Sequence, residues 1–272
     1  MSADHCQECT FIRVTRKKKS SERKKKAATI DLESVPLTDV DKKKAIRHIE
    51  QAIEDISQSD LFQSIIASLK EGVNILGNPA IKEIICLGLG KVGEFLRSKY
   101  QLAFLLKLRD LYNIELKIFD PVFSEDDQYL LRHFNITVLG ENLEGKYRND
   151  QSTTIFFLPH CPKQLTNNIL WINWGLNLHY CILICNSFAG LIENNTKKYL
   201  IKSAEYILKI YPYTVELAIA NTFKFYDIFN DTAIHIFPQN RLNLLPIDFW
   251  KFQSEPRYTE EDCEFIRKPS LT

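Results

Sequence analysis

Forty residues constrain this chain more than any others. From Ile81 to Asp120 they read as an apolar run, a glycine-rich turn, a long amphipathic segment and a second apolar run ending in an acid. Ile84-Ile85-Cys86-Leu87 leads into Gly88-Leu-Gly90-Lys-Val-Gly93, and Leu116-Lys-Ile118-Phe119 leads into Asp120-Pro121. A strand, a tight turn, a helix and a second strand have this layout, and in dinucleotide-binding folds the turn approaches a phosphate while the acid holds ribose hydroxyls. A helix starting just after Gly90 and running to Tyr112 would aim its free amide groups at the turn, where an anion can sit. Asp120 lies 27 positions beyond Gly93, against roughly 20 in the dinucleotide pattern, so the predicted helix is longer than usual. The missing Gly-Lys-Ser/Thr ending excludes a Walker-type phosphate loop. Without a ligand, the same glycines would serve strand-to-helix packing and Asp120 would cap a turn.

Beyond Asp120 the alternation repeats. The pattern predicts a short helix over Tyr129 to Phe134, strands at Ile136–Leu139 and Thr154–Leu158, and a helix over Gln164 to Trp174. It continues with a strand at Tyr180 to Ile184, a long helix over Asn194 to Tyr211, and a strand at Thr232–Phe237. Strands alternating with helices predict an α/β fold, a doubly wound and mostly parallel sheet of the Rossmann-like kind. Before it, Ile46, Ile49, Ile53 and Ile56, then Leu61, Phe62, Ile65, Ile66 and Leu69, recur at helical spacing, with Gln58-Ser59-Asp60 as break and N-cap. The expected organisation is a disordered basic tail over 1–35, a helical N-terminal extension over 36–80, the α/β domain over 81–255 and a C-terminal tail over 256–272.

Charge separates the tail from the rest. Of 35 Lys/Arg and 34 Asp/Glu, residues 1–30 hold nine and three, so the remainder carries 26 and 31. Arg16-Lys-Lys-Lys19 and Arg23-Lys-Lys-Lys26 have almost nothing to bury. They read either as a patch for a nuclear import receptor or a nucleic-acid backbone, or as a solubilising segment. Cys6 and Cys9 have the spacing of half a zinc site, but no second pair lies at a suitable distance, so no metal is expected. Cys86, Cys181 and Cys185 sit in apolar runs as small hydrophobes, which fits a reducing compartment. With no apolar run near the ~18 residues of a membrane span, the expectation is a soluble, intracellular protein, cytoplasmic and also nuclear where the tail acts as a signal.

In an open sheet of this kind ligands meet the carboxyl ends of the strands. The polar residues predicted there are Gly88, Gly90, Gly93, Asp120, His160 beside Cys161, and Asn186 with Ser187, and they are the candidate ligand-binding set. His160 and Cys161, adjacent in an extended segment, point to opposite faces and are poor partners for each other. His235, between Ile234 and Ile236, reads as a hydrogen-bonded structural histidine. Asn167, Asn168, Trp171, Asn173 and Trp174 add polar and aromatic density after the fourth predicted strand. The residues name no cofactor and no catalytic group; a nucleotide or S-adenosylmethionine-type ligand is the chemistry the glycine turn and the terminal acid would suit.

Six blocks carry a resemblance in a fixed order: Tyr100-Gln-Leu-Ala-Phe104, Asp120-Pro-Val-Phe123, Pro159-His-Cys161, Asn167-Asn-Ile-Leu-Trp-Ile-Asn-Trp174, Asn186-Ser-Phe188, and Phe229-Asn-Asp-Thr232 through His235-Ile-Phe-Pro238. Over Ile81 to Pro238 the chain resembles the SRR1-like (SENSITIVITY TO RED LIGHT REDUCED) family. The resemblance implies a regulatory protein of circadian-clock input and light signalling, and of haem-biosynthesis regulation in animals, in the cytoplasm and sometimes the nucleus. It carries over no catalytic residue. A regulatory role is therefore expected ahead of an enzymatic one, the alternative being a Rossmann-like transferase using a nucleotide or S-adenosylmethionine-type cofactor.

Overall fold

The computed structural model describes residues 37–251 and 253–267. The basic tail predicted over 1–35 and the Cys6/Cys9 pair lie outside the described residues. Two helices open the described chain, α1 (Asp39–Ser57) and α2 (Asp60–Ile75). Each is started by a side chain: Thr38 Oγ1 accepts from the Asp41 N–H, and Ser59 Oγ from the Phe62 N–H, satisfying amides that the first helical turn leaves open.

The sheet elements come next as β1 (Ile81–Leu87), α3 (Leu96–Tyr112), β2 (Glu115–Phe119), α4 (Glu125–His133), β3 (Thr137–Val138), β4 (Thr153–Leu158), α5 (Lys163–Ile172) and β5 (Cys181–Asn186). Three short helices continue the chain, α6 (Phe188–Glu193), α7 (Lys197–Ser203) and α8 (Glu205–Ile210), then β6 (Val215–Ala218), β7 (Thr232–Ile236), α9 (Gln239–Leu242) and α10 (Ile247–Lys251). The strands form one sheet in the order β3-β2-β1-β4-β5-β7-β6. Those from β3 to β5 pair in parallel, whereas β7 runs antiparallel to both β5 and β6.

Alternation along the central strands divides the interior in two. Ile84 and Cys86 of β1 and Ile155 and Phe157 of β4 enter the core beneath α1 to α4. Ile85 and Leu87, with Phe156 and Leu158, enter the core beneath α5 to α9. Successive side chains of a strand point to opposite faces, so uninterrupted apolar runs are what a sheet covered on both sides requires. Helix α3 is buried on nearly every side, Leu102 to Leu106 without interruption, because it lies between the sheet and α1.

Three expectations change. Helix α3 starts at Leu96 rather than just after Gly90; residues 92–94 form a turn between the glycines and the helix. The predicted long helix from Asn194 to Tyr211 is broken, because Ala204 takes φ −157°, ψ 44° and divides α7 from α8. Strand β6 has no counterpart among the expected elements; its four residues are too few to display a period. Among the described residues no helix is long and apolar enough to cross a membrane.

The segment after α10 packs back on the sheet domain. Asn167 Nδ2 donates to the Tyr258 hydroxyl, which donates to Asn168 Oδ1. Gln164 Nε2 donates to the Asp262 carbonyl, Asn142 Nδ2 to that of Ile266, and Lys163 pairs with Glu264.

Candidate functional site

The strand order reverses between β1 and β4: the chain goes from β1 outward to β2 and β3, then returns to β4 on the other side of β1. The loops leaving β1 and β4 therefore diverge and leave a crevice at their carboxyl ends. A cleft of about 560 Å³ lies there, lined by Gly88 to Gly90, Phe95 to Ser98, Gln101, Asp120, Val122, Pro159 and His160. Four of the sequence-predicted residues, Gly88, Gly90, Asp120 and His160, thus come together in one cavity. Gly93, Asn186 and Ser187 do not line it.

The glycine turn is shaped by the acid across from it. Gly88 and Gly90 take φ of 72° and 78°, a left-handed backbone that glycine adopts without strain. Their amides are already taken: the Gly88 N–H donates to the Phe119 carbonyl at 3.1 Å, the Gly90 N–H to Asp120 Oδ2 at 2.7 Å, and the Gly93 N–H to Asp127 Oδ1 at 3.1 Å. Asp120 Oδ1 accepts from the Val122 N–H at 3.0 Å. Burial pushes the Asp120 carboxyl above its ordinary range, against the two backbone bonds that pull it down, and the Asp127 charge adds to the rise. Each carboxylate oxygen keeps a lone pair for one further donor.

His160 sits at φ 58°, and this turn separates its side chain from that of Cys161. Its Nε2 lies 3.1 Å from the Ile228 carbonyl. Burial, with the nearby Arg97 charge, lowers its pKa, so the imidazole is neutral at pH 7. Cys161 turns beneath Gly88 into the second core and donates its thiol proton to the Leu87 carbonyl at 3.1 Å. Burial pushes this thiol up to about 12, which keeps it protonated and disfavours it as a nucleophile.

Asn186 shapes the cleft from outside it. Its Oδ1 accepts from the His160 N–H at 2.7 Å and its Nδ2 donates to the Cys161 carbonyl at 3.1 Å, fixing the turn that presents His160. Ser187 caps α6 by accepting from the Gly190 N–H and donates to Glu216 Oε1 at 2.5 Å. Glu216 Oε2 accepts from the Ala189 N–H and lies 3.5 Å from Nε2 of the fully buried His235. Burial alone would raise the Glu216 carboxyl, but His235, Ser187 and the Ala189 N–H together hold it below its ordinary range. This cluster ties β6 and β7 to α6, so His235 is structural, and Glu216 escapes a sequence reading because β6 does. The asparagines after β4 are structural too: Asn173 Nδ2 donates to the Tyr147 carbonyl, and Asn167 Oδ1 accepts from the Tyr206 N–H.

The residues that sequence reasoning passes over are Arg97, Ser98 and Gln101, one turn of α3 facing the cleft. In the sequence they look like the polar stripe of an amphipathic helix; only the position of α3 turns that stripe inward. Asp120 also borders a second cleft of about 600 Å³, whose walls include Phe119, Phe123, Val138 and Leu139. Among the described residues no group of three or more His, Cys, Asp or Glu could hold a metal ion.

The chain is 31% identical over 206 residues to an SRR1-like protein of Drosophila melanogaster, covering 75% of this chain and 72% of the relative. It is 30% identical over 172 residues to an SRR1-like protein of Mus musculus, covering 62% and 68%. With the Arabidopsis thaliana protein SENSITIVITY TO RED LIGHT REDUCED 1 it shares 25% identity over 211 residues, covering 73% and 76%. Among solved structures, the 23S rRNA methyltransferase ErmE aligns with a TM-score of 0.32 at 13% identity, covering 61% of this chain and 66% of that one. The SRR1 domain model matches residues 42–236, from within α1 to the last residue of β7, and the chain therefore belongs to the SRR1 family.

Proposed function

We propose that this chain is a regulatory protein that binds a small ligand in the cleft at the carboxyl ends of β1, β2 and β4. In this reading the liganded state carries a signal of light or clock input and of haem-biosynthesis control. The observation behind it is convergence: Gly88, Gly90, Asp120 and His160, spread over 73 positions of sequence, border one cavity at the reversal of strand order. A fold without a ligand there would gain by filling the crevice with side chains. The signalling part rests on the family and on the plant relative's name, which refers to red light; the haem part rests on the family resemblance.

Thermal-shift measurements on the full chain with nucleotides, S-adenosylmethionine and haem test the cleft. The expected result is a ligand-dependent rise in the midpoint that both Gly90→Val and Asp120→Ala abolish. In Gly90→Val a Cβ would meet Ser98 Oγ at 2.8 Å. Binding that survives both substitutions would sink the site, and turnover of a bound cofactor would move the reading to the transferase.

We also infer that the protein is cytoplasmic and nuclear, with residues 1–30 as the import signal, because nine of its basic residues lie there. A fluorescent fusion lacking residues 1–30 should lose its nuclear fraction. An unchanged distribution would reject the signal.

A further inference from the structure

The glycine turn does not offer the amides of its three glycines to an anion, since Gly88, Gly90 and Gly93 donate to Phe119, Asp120 and Asp127. The open donors lie six residues beyond Gly90. Helix α3 begins at Leu96 without a side-chain cap at Phe95, and the first backbone bond of its ladder runs from the Lys99 N–H to the Phe95 carbonyl. The amides of Leu96, Arg97 and Ser98 therefore start the helix without intrahelical acceptors, at the positive end of its dipole. Beside them, Ser98 is 3% exposed and lines the cleft, and its hydroxyl has no hydrogen-bond partner among the described residues. The hydroxyl opens to the cleft, where a ligand can bond to it in place of solvent. Arg97, on the same turn, is exposed and forms no ion pair among the described residues. Amides, hydroxyl and guanidinium all converge as donors on one wall.

The facing wall has the opposite character. Asp120 presents an acceptor on each oxygen, and Gly90 stands between the two walls, its N–H on Asp120 Oδ2 and its Cα hydrogen side toward Ser98 Oγ. A free anion satisfies the first wall and is repelled by the second. A molecule with an anionic group at one end and two adjacent hydroxyls at the other satisfies both. Because Asp120 borders the second cleft as well, a ligand seated on it has a further groove for an attached ring.

We propose that the cleft takes the ribose phosphate of a nucleotide, with the phosphate on the first turn of α3 between Arg97 and Ser98 and the ribose hydroxyls on Asp120. This assignment rests on the proposed ligand-binding function and specifies its chemistry. The phosphate is held by a helix start, as in other anion sites, but away from the glycines that the sequence pattern points to.

Titration calorimetry of the full chain with ribose 5-phosphate, ribose, inorganic phosphate and adenosine 5′-monophosphate tests it. Ribose 5-phosphate is expected to bind tighter than ribose and tighter than phosphate, because only it reaches both walls. Arg97→Gln should weaken it by about tenfold or more and Ser98→Ala by roughly severalfold, the usual cost of losing a charge-assisted and a neutral bond. Ser98→Ala removes a group with no protein partner, so the midpoint of the ligand-free chain should stay where it is. Adenosine 5′-monophosphate should bind at least as tightly as the sugar phosphate, with the base in the second groove. Unchanged affinity in both variants, or inorganic phosphate binding as tightly as ribose 5-phosphate, would overturn the assignment. So would exclusion of the nucleotide while the sugar phosphate binds. If no phosphorylated ligand binds but S-adenosylmethionine or haem does so in an Asp120-dependent way, the ribose phosphate falls and the cleft stands; if none binds, both fall.

Discussion

Gly88→Ala is expected to destabilise the fold by about 3 kcal/mol, from a strained left-handed alanine and an overpacked contact together. For a chain of this size that is a fall of roughly 6–12 °C in the thermal midpoint. The residue holds φ 72°, and a Cβ placed on it would lie 2.5 Å from Cys161 Sγ. Sulfur cannot yield easily, since the thiol is packed in the second core and bonded to the Leu87 carbonyl. Two costs are involved and a double-mutant cycle separates them. In a Cys161→Ala background the sulfur is gone, the next atom, Cys161 Cβ, stands at 3.9 Å, and the cost of Gly88→Ala should shrink to the backbone part, about 1 kcal/mol. Equal losses in both backgrounds would show that the contact contributes nothing. Relief of the steric part matters for the site, because the turn that holds Cys161 also presents His160.

Tyr258→Ala is expected to lower stability by about 2–4 kcal/mol, combining lost ring packing with two buried amides left short of a partner. The hydroxyl joins Asn167 and Asn168, each 1% exposed, and the ring stands edge-on to Phe265 at 5.9 Å. Tyr258→Phe keeps the ring and should cost only about 1–2 kcal/mol. Urea unfolding measures both, and trypsin digestion at Arg257 and Arg267 should speed up in the alanine variant as the segment lifts. An alanine variant with the wild-type urea midpoint would mean that the C-terminal segment adds nothing to the fold. Phe265 and Ile266 also wall a small apolar cavity of about 50 Å³ against Leu87, Gly88 and Phe119, so the segment braces the back of the glycine turn.

The candidate site is legible to different depths at different residues. Gly88, Gly90 and Asp120 can be picked out because a turn after an apolar strand and an acid after the next are local patterns. His160 can be picked out because it comes after Leu158 and Pro159, an apolar strand and its stop. Asn186 and Ser187 stand at the expected place in the chain but do a different job: the first bonds to the His160 turn and the second to Glu216. Arg97 and Ser98 give no signal, since a polar pair on a helix is ordinary wherever that helix faces water.

By itself the sequence determined what depends on spacing within one element. The apolar runs of β1, β4 and β5, the helical periods of α1 and α2 and the Ser59 cap are all set by neighbours a few residues away, and the succession of such elements, strands alternating with helices, is enough to imply a mostly parallel sheet. Tertiary structure alone decided which of those elements meet. The reversal of β7 against β5, the existence of β6, the start of α3 at Leu96, the docking of Tyr258 on Asn167 across 91 positions and the bond from Gly90 to Asp120 are long-range pairings. Such pairings are chosen by the whole core at once: burial and hydrogen-bond satisfaction are shared among segments far apart in the chain, and no local window contains both partners.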